Sequence, residues 1–190
     1  MKNRVLILSV LMTLGACKTI SYENAVSANR DRFYGDDEKT ALLLDDYQDV
    51  SQVTADISRL ADDQAYSKDL CDFAGMVIRD QRKFNTSLQL LALRKRIRIP
   101  NTESGERHKI YQQVRDVPDK KTFDRAYYEN MKFLFNHIID RSDSFLGNNS
   151  EGPVRDFIAR NVSLYKDYIK KIGKMQEYMD KNPEPQVTKN

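Results

Sequence analysis

From Asp49 to Ile99, apolar residues recur at every third or fourth position. The first run is Val53, Ile57 and Leu60, ending at Gln64; the second is Leu70, Ala74, Val77, Ile78, Phe84, Leu88 and Leu91, with Gln81 as its polar member. This spacing keeps one face of an α-helix apolar over many turns. The pattern breaks at Ala65–Ser67, so it predicts two helices joined by a tight connection. Leu43, Tyr47 and Val50 extend the first stripe backward and predict a helix over about 37–65. Asp36, Asp37 and Glu38 stand at its start, where the helix dipole favours acids. Ser67 is the predicted N-cap of the second helix, with Asp69 in its first turn. That helix runs over about 68–97, and Pro100 forbids continuation.

The C-terminal half repeats the pattern. Ile110, Val114 and Val117 predict a short helix inside the long connection 101–121. Phe123, Ala126, Tyr127, Met131, Leu134 and Ile138 predict a third long helix over about 120–145, closed near Gly147. Ser150 and Pro153 resemble a cap followed by a first-turn proline. The last stripe begins Val154, Phe157, Ile158 and continues through Val162, Tyr165, Tyr168, Ile172 and Met179. Four long stripes with mostly short connections predict an all-α fold, a four-helix bundle over residues 38–180. A long coiled-coil dimer is the rival architecture, and the capped breaks disfavour it. Residues 181–190, with Pro183 and Pro185, form a polar tail expected to be disordered.

The N-terminus has a different pattern. Lys2 and Arg4 precede a largely apolar run, Val5 to Leu14, too short to span a bilayer and the right length for a signal-peptide core. The run ends in Leu14-Gly15-Ala16-Cys17. Small residues let the backbone enter a peptidase groove, and the cysteine offers a thiol for lipid attachment. This resembles the lipobox of bacterial lipoproteins. The resemblance implies cleavage between Ala16 and Cys17, lipidation of Cys17, and a signal peptide over residues 1–16. Several acyl chains on one residue give stable anchoring, each buried CH₂ contributing ~0.8 kcal/mol. Lys18, rather than an aspartate, follows the cysteine, which by resemblance to enterobacterial sorting implies the outer membrane; the body is expected to face the periplasm. Residues 17–37 are polar without sustained period and are expected to be a lipidated tether.

Composition narrows the classes. Of 190 residues, 40% are hydrophobic and 31% charged, and only 7 are Gly and 5 Pro, which favours helices over a many-turned β fold. The formal charge is +3, and two of those charges, Lys2 and Arg4, lie in the expected signal peptide. A near-neutral body with interspersed signs does not argue for nucleic-acid binding. One basic cluster stands out: Arg94, Lys95, Arg96 and Arg98. Cations at a helix C-terminus offset the dipole, which is one reading. The other is a patch for lipid head groups, a wall polymer or a partner protein. With Cys17 lipidated, Cys71 is the remaining thiol and has no partner for an internal disulfide. Its place beside the stripe favours a small buried apolar residue over a reactive thiol. Asp45, Asp46, Asp56, Asp62 and Asp63 lie mostly off the stripe and are expected on a solvated face.

A second resemblance covers about residues 40–179. Leu60-Ala61, Ser67, Phe73-Ala74, Met76, Asp80-Gln81, Phe123-Asp124 with Tyr127, and Phe157-Ile158-Ala159 are similar to a pattern in exported bacterial ferritin-like bundles catalogued as outer-membrane proteins of unknown function. The resemblance implies a ferritin-like bundle and no particular activity. Histidines of that pattern fall here at Gln81, at Phe135 and near Asp167, so roles of those histidines do not carry over. A di-iron bundle needs Glu-x-x-His units, and none occurs; His108 and His137 are the only histidines. Asp80, Glu129 and His137 are the one combination worth testing as a metal site, and no metal or other cofactor is expected beyond the lipid. No phosphate loop, nucleophile elbow, Cys-x-x-Cys or His-Glu-x-x-His motif is present.

The sequence thus points to a non-enzymatic cell-envelope lipoprotein, a tethered bundle that binds an envelope protein, wall polymer or ligand. A ferritin-like metal-binding or redox protein of the periplasm is the alternative. Tyr127, Tyr128, Tyr165 and Tyr168 are candidate contact residues, with core positions the competing reading.

Overall fold

Residues 19–148 and 152–182 are described in the computed structural model of the protein, and over them the chain is all helical. Among these residues there are six helices: α1 (Tyr22–Arg30), α2 (Asp36–Gln64), α3 (Lys68–Lys95), α4 (Gly105–Arg115), α5 (Lys120–Asn148) and α6 (Pro153–Lys181). The four long helices follow the four apolar stripes, and α4 is the short helix signalled by Ile110 and Val114. The lipobox residues Leu14 to Cys17, the cap position Ser150 and the tail 183–190 lie outside the described residues.

Most helix starts have a local cause. The hydroxyl oxygens of Ser21, Ser67 and Ser104 accept from the backbone N–H of Asn24, Leu70 and Arg107, capping α1, α3 and α4. Asp119 plays the same part for α5, accepting from the Thr122 N–H at 2.9 Å. Pro153 occupies the first turn of α6, where its missing N–H is no loss. The α3 end is less usual. Arg96 takes the left-handed conformation, with φ 57°, and the Ile97 N–H reaches back to the Ala92 carbonyl at 2.9 Å. Ile97 is buried while the cations around it stay in water.

The long helices form a ring of neighbours: α2 packs on α3 and α5, and α6 packs on the same two. Aromatic rings fill the interior. Phe135 stacks on Tyr165 with centroids 5.0 Å apart, and Phe84 meets Phe157 at 5.2 Å and Tyr47 at 5.6 Å. Such pairs add about 0.5–1.5 kcal/mol each beyond area burial. Two buried phenols find partners across the core: Tyr47 with Ser142 and Tyr127 with Ser58, both at 2.8 Å.

Two expectations change here. Six helices stand where the stripes count four long ones and a short fifth. The segment 17–37, expected as a tether, contains α1, and α1 packs on α2. The reason is tertiary. α1 has no long apolar stripe of its own; it buries Ala25 and Asn29, and its hold on the body comes from polar contacts with distant residues. Consequently α2 is covered by α1, α3, α4 and α5 together. It buries Asp45, Asp49, Ser51, Thr54 and Ser58 as well as its apolar stripe.

Candidate functional site

The basic cluster lies where α3 ends. Arg94 and Lys95 occupy the last turn of α3, Arg96 is its left-handed cap, and Arg98 follows buried Ile97; all four cations are exposed. The Arg98 backbone is bracketed by one side chain of α1. Asn29 donates from Nδ2 to the Arg98 carbonyl at 2.8 Å, and its Oδ1 accepts the Arg98 N–H at 3.0 Å. Two residues beyond Ile99, Asn101 pairs with Ile20: the Asn101 N–H donates to the Ile20 carbonyl at 2.8 Å. The Ile20 N–H donates in return to Asn101 Oδ1 at 3.4 Å. The incoming N-terminal chain therefore meets the body beside the cationic turn.

Beneath that turn is a cluster of carboxylates on α2. Asp45 is fully buried, and both its oxygens accept from Asn29 Nδ2, at 3.2 and 2.9 Å. Asp46 accepts from the Tyr22 hydroxyl at 2.9 Å and meets Arg141 Nε of α5 at 2.6 Å. Asp49 accepts from the Ser104 N–H at 2.8 Å and its hydroxyl at 2.7 Å, with Arg107 at 3.7 Å. Burial raises the Asp45 carboxyl from its ordinary value of 3.8 to about 7, against the opposing Asn29 hydrogen bond and helped by neighbouring Asp46. Burial likewise raises Asp49 to about 6, opposed by Ser104 and Arg107. Asp45 and Asp46 thus both grip α1, Asp46 also holds α5, and Asp49 holds the start of α4. This corrects the reading of Asp45 and Asp46 as a solvated face, since α1 and the 98–104 segment cover them.

The other candidates are dispersed. Asp80 of α3 accepts from the Tyr168 hydroxyl of α6 at 2.8 Å. Glu129 is exposed on α5, and His137 is half-buried, its imidazole lowered by burial and by nearby Arg107 and Arg141. No group of three or more His, Cys, Asp or Glu side chains that could hold a metal ion occurs among the described residues. Gln81 is buried, its oxygen accepting from the Ser51 hydroxyl at 2.6 Å. Cys71 is half-buried and free, its thiol raised by burial and by Asp124, Asp62 and Asp72. Tyr127, Tyr128, Tyr165 and Tyr168 are buried, which removes them as contact residues. The Phe123–Tyr127 motif has a structural explanation. Buried Asp124 accepts the backbone N–H groups of Tyr66 at 2.7 Å and Ser67 at 2.9 Å, fastening the α2–α3 turn to α5.

Sequence reasoning passed over one surface. Gln48, Gln52, Asp56 and Arg59 line an open groove of about 490 Å³ on α2. The clue was an i, i+4 row of carboxamides, but exposed glutamines in such a row look the same. Among the described residues no helix is long and apolar enough to cross a membrane.

Residues 30–174 match the family described as DUF4142, a domain of unknown function. No curated protein matches the chain, and no solved structure does. The matched stretch covers most of the chain, from the end of α1 into α6, and the protein belongs to the DUF4142 family.

Proposed function

We propose that this DUF4142 protein is a lipid-anchored component of the bacterial cell envelope whose helical body serves as a non-enzymatic binding module. The reading takes the four long helices as a ferritin-like four-helix bundle, with α1 and α4 packed on its flanks. One observation carries it furthest: the pairing of Ile20 with Asn101. Cys17 stands three residues before Ile20, so the chain can place the lipid no more than ~10 Å from that pair. The exposed cations Arg94, Lys95, Arg96 and Arg98 then lie at the anchored end of the body. Anionic groups at an envelope surface attract such a cluster, at about 1 kcal/mol per cation near the surface. The lipobox Leu14-Gly15-Ala16-Cys17 supports anchoring, and Lys18 supports the outer membrane, where the reading has the body face the periplasm.

Metabolic labelling with a palmitate analogue and membrane fractionation test the anchor. Cys17→Ser is expected to lose the label and enter the soluble fraction; membrane pelleting identical to wild type would overturn the reading. Crosslinking in intact cells tests the module. A partner captured by wild type is expected to be lost when Arg94, Lys95, Arg96 and Arg98 are reversed to Glu. Capture of the same partner by the reversed variant would remove the patch from the account.

A further inference from the structure

Along the side of α2 between α3 and α4 run two adjoining depressions. The first, of about 490 Å³, contains Gln48 and Gln52. The second, of about 360 Å³, contains Asp63 and Glu103. Asp56 and Arg59 line both, so the two make one trough. Gln48 to Asp63 spans about 22 Å at the ~1.5 Å rise of a helix.

The trough collects unmet hydrogen-bond acceptors. Three buried side-chain oxygens of this trough lack a hydrogen-bond partner: Gln48 Oε1, Gln52 Oε1 and Glu103 Oε2. Gln48 itself is only 8% exposed. Gln52 donates to the Asn101 carbonyl at 3.1 Å, and the other oxygen of Glu103 meets His108 Nδ1 at 2.6 Å. Folded chains rarely leave several such groups unmatched in one place. All three are acceptors, so a ligand that satisfies them must bring donors. The charge agrees, since Asp56, Asp63 and Glu103 face one cation, Arg59. Arg59 is exposed and Asp56 half-buried, and an ion pair so close to solvent opens at little cost.

We propose that this trough binds an elongated aliphatic cation with several N–H groups, of the polyamine class. Ammonium groups spaced along a flexible chain reach acceptors strung out along a helix and neutralise the acids between them. A bare divalent cation gathers its ligands within about 2.0–2.6 Å and cannot serve oxygens so far apart. A neutral sugar brings as many acceptors as donors and leaves the acids unneutralised. One end of the site, at Ile99, Pro100 and Asn101, adjoins the cationic turn, but none of the four cations lines it and it does not depend on lipid anchoring.

Titration calorimetry of the full-chain, lipidated protein in a nonionic micelle with spermidine tests the proposal. Saturable binding is expected, at least tenfold tighter than Mg²⁺ at the same ionic strength. Glu103→Gln and Gln48→Leu are each expected to weaken it fivefold or more. Charge reversal at Arg94, Lys95, Arg96 and Arg98 is expected not to weaken it, which separates this site from the envelope-docking reading. Melting curves check that the variants are folded. If either is not, side-chain amide resonances of Gln48 and Gln52 in the wild type must shift on spermidine addition. Absence of saturable binding, equal affinity for Mg²⁺, binding of a neutral disaccharide in place of spermidine, or shifts confined to other residues would each overturn the proposal.

Discussion

Asn29 and Asp45 meet in the interior, the amide nitrogen of one lying 3.2 and 2.9 Å from the two carboxylate oxygens of the other. The same amide group brackets the backbone of Arg98, so one side chain joins α1, α2 and the turn after α3. Asn29→Leu removes all of these bonds and strands a buried carboxyl and two backbone groups. A stranded buried group costs about 1–3 kcal/mol, so a loss of about 3 kcal/mol is expected in denaturant unfolding. Hydrogen exchange over residues 22–33 should quicken before that of α3. Unfolding within about 0.5 kcal/mol of wild type would show that α1 does not lean on Asn29.

Asp45 also sets a pH dependence. Its folded carboxyl sits at about 7 against 3.8 when free, so between those values the folded state holds the extra proton. Stability from this group is fully present below pH ~4 and is lost as pH rises through about 7. Asp49, raised to about 6, works in the same direction. His137, lowered by burial, works against both, gaining stability as pH rises toward 6.5. The informative quantity is therefore the difference between wild type and Asp45→Asn. The variant is expected to gain on wild type by about 2 kcal/mol between pH 5 and pH 8. Parallel stability curves across that range would refute a proton on Asp45.

Asp124 is expected to matter beyond its own helix. Asp124→Ala leaves the Tyr66 and Ser67 N–H groups at the start of α3 without their acceptor. A loss of about 2 kcal/mol is expected, in line with removal of a good cap and of a buried charge-assisted bond. A double-mutant cycle with Ser67→Ala should show coupling, since both side chains serve one turn. Simple additivity would show that they act separately.

Core truncations should rank by burial. Phe157 and Val77 are buried, whereas Leu60 is only partly so. Phe157→Ala is expected to cost about 3–5 kcal/mol and Val77→Ala about 2 kcal/mol. Leu60→Ala is expected to cost about 1 kcal/mol, because its site borders solvent and can relax. Equal costs at all three positions, measured by urea unfolding, would contradict the packing described.

Arg96 holds a left-handed backbone that glycine adopts freely. Arg96→Gly is expected to stabilise the fold by about 1 kcal/mol while weakening attachment to anionic vesicles. Thermal melting and vesicle sedimentation read the two effects separately. Destabilisation on melting would mean that the arginine side chain, not the backbone, dominates there.

The sequence by itself determined the long helices. The apolar repeat depends only on neighbours three and four positions away, and Ser67 and Pro153 mark helix starts through bonds made or missing within one turn. The cations at 94–98 were legible for the same reason, since four of these five consecutive positions are basic. Only the tertiary structure decided the fate of the polar face of α2. Asp45, Asp49 and Asn29 look like surface residues in any local window. They are buried because their partners arrive from 16, 55 and 69 positions away. α1 was unreadable on the same ground, as its hold is long-range and polar rather than periodic and apolar. The acceptors of the α2 trough became visible only once neighbouring segments had enclosed them without supplying donors. Periodicity records which face of a helix must leave water. It does not record which distant segment will cover a polar face, because a buried hydrogen bond exists only after both partners have been brought together.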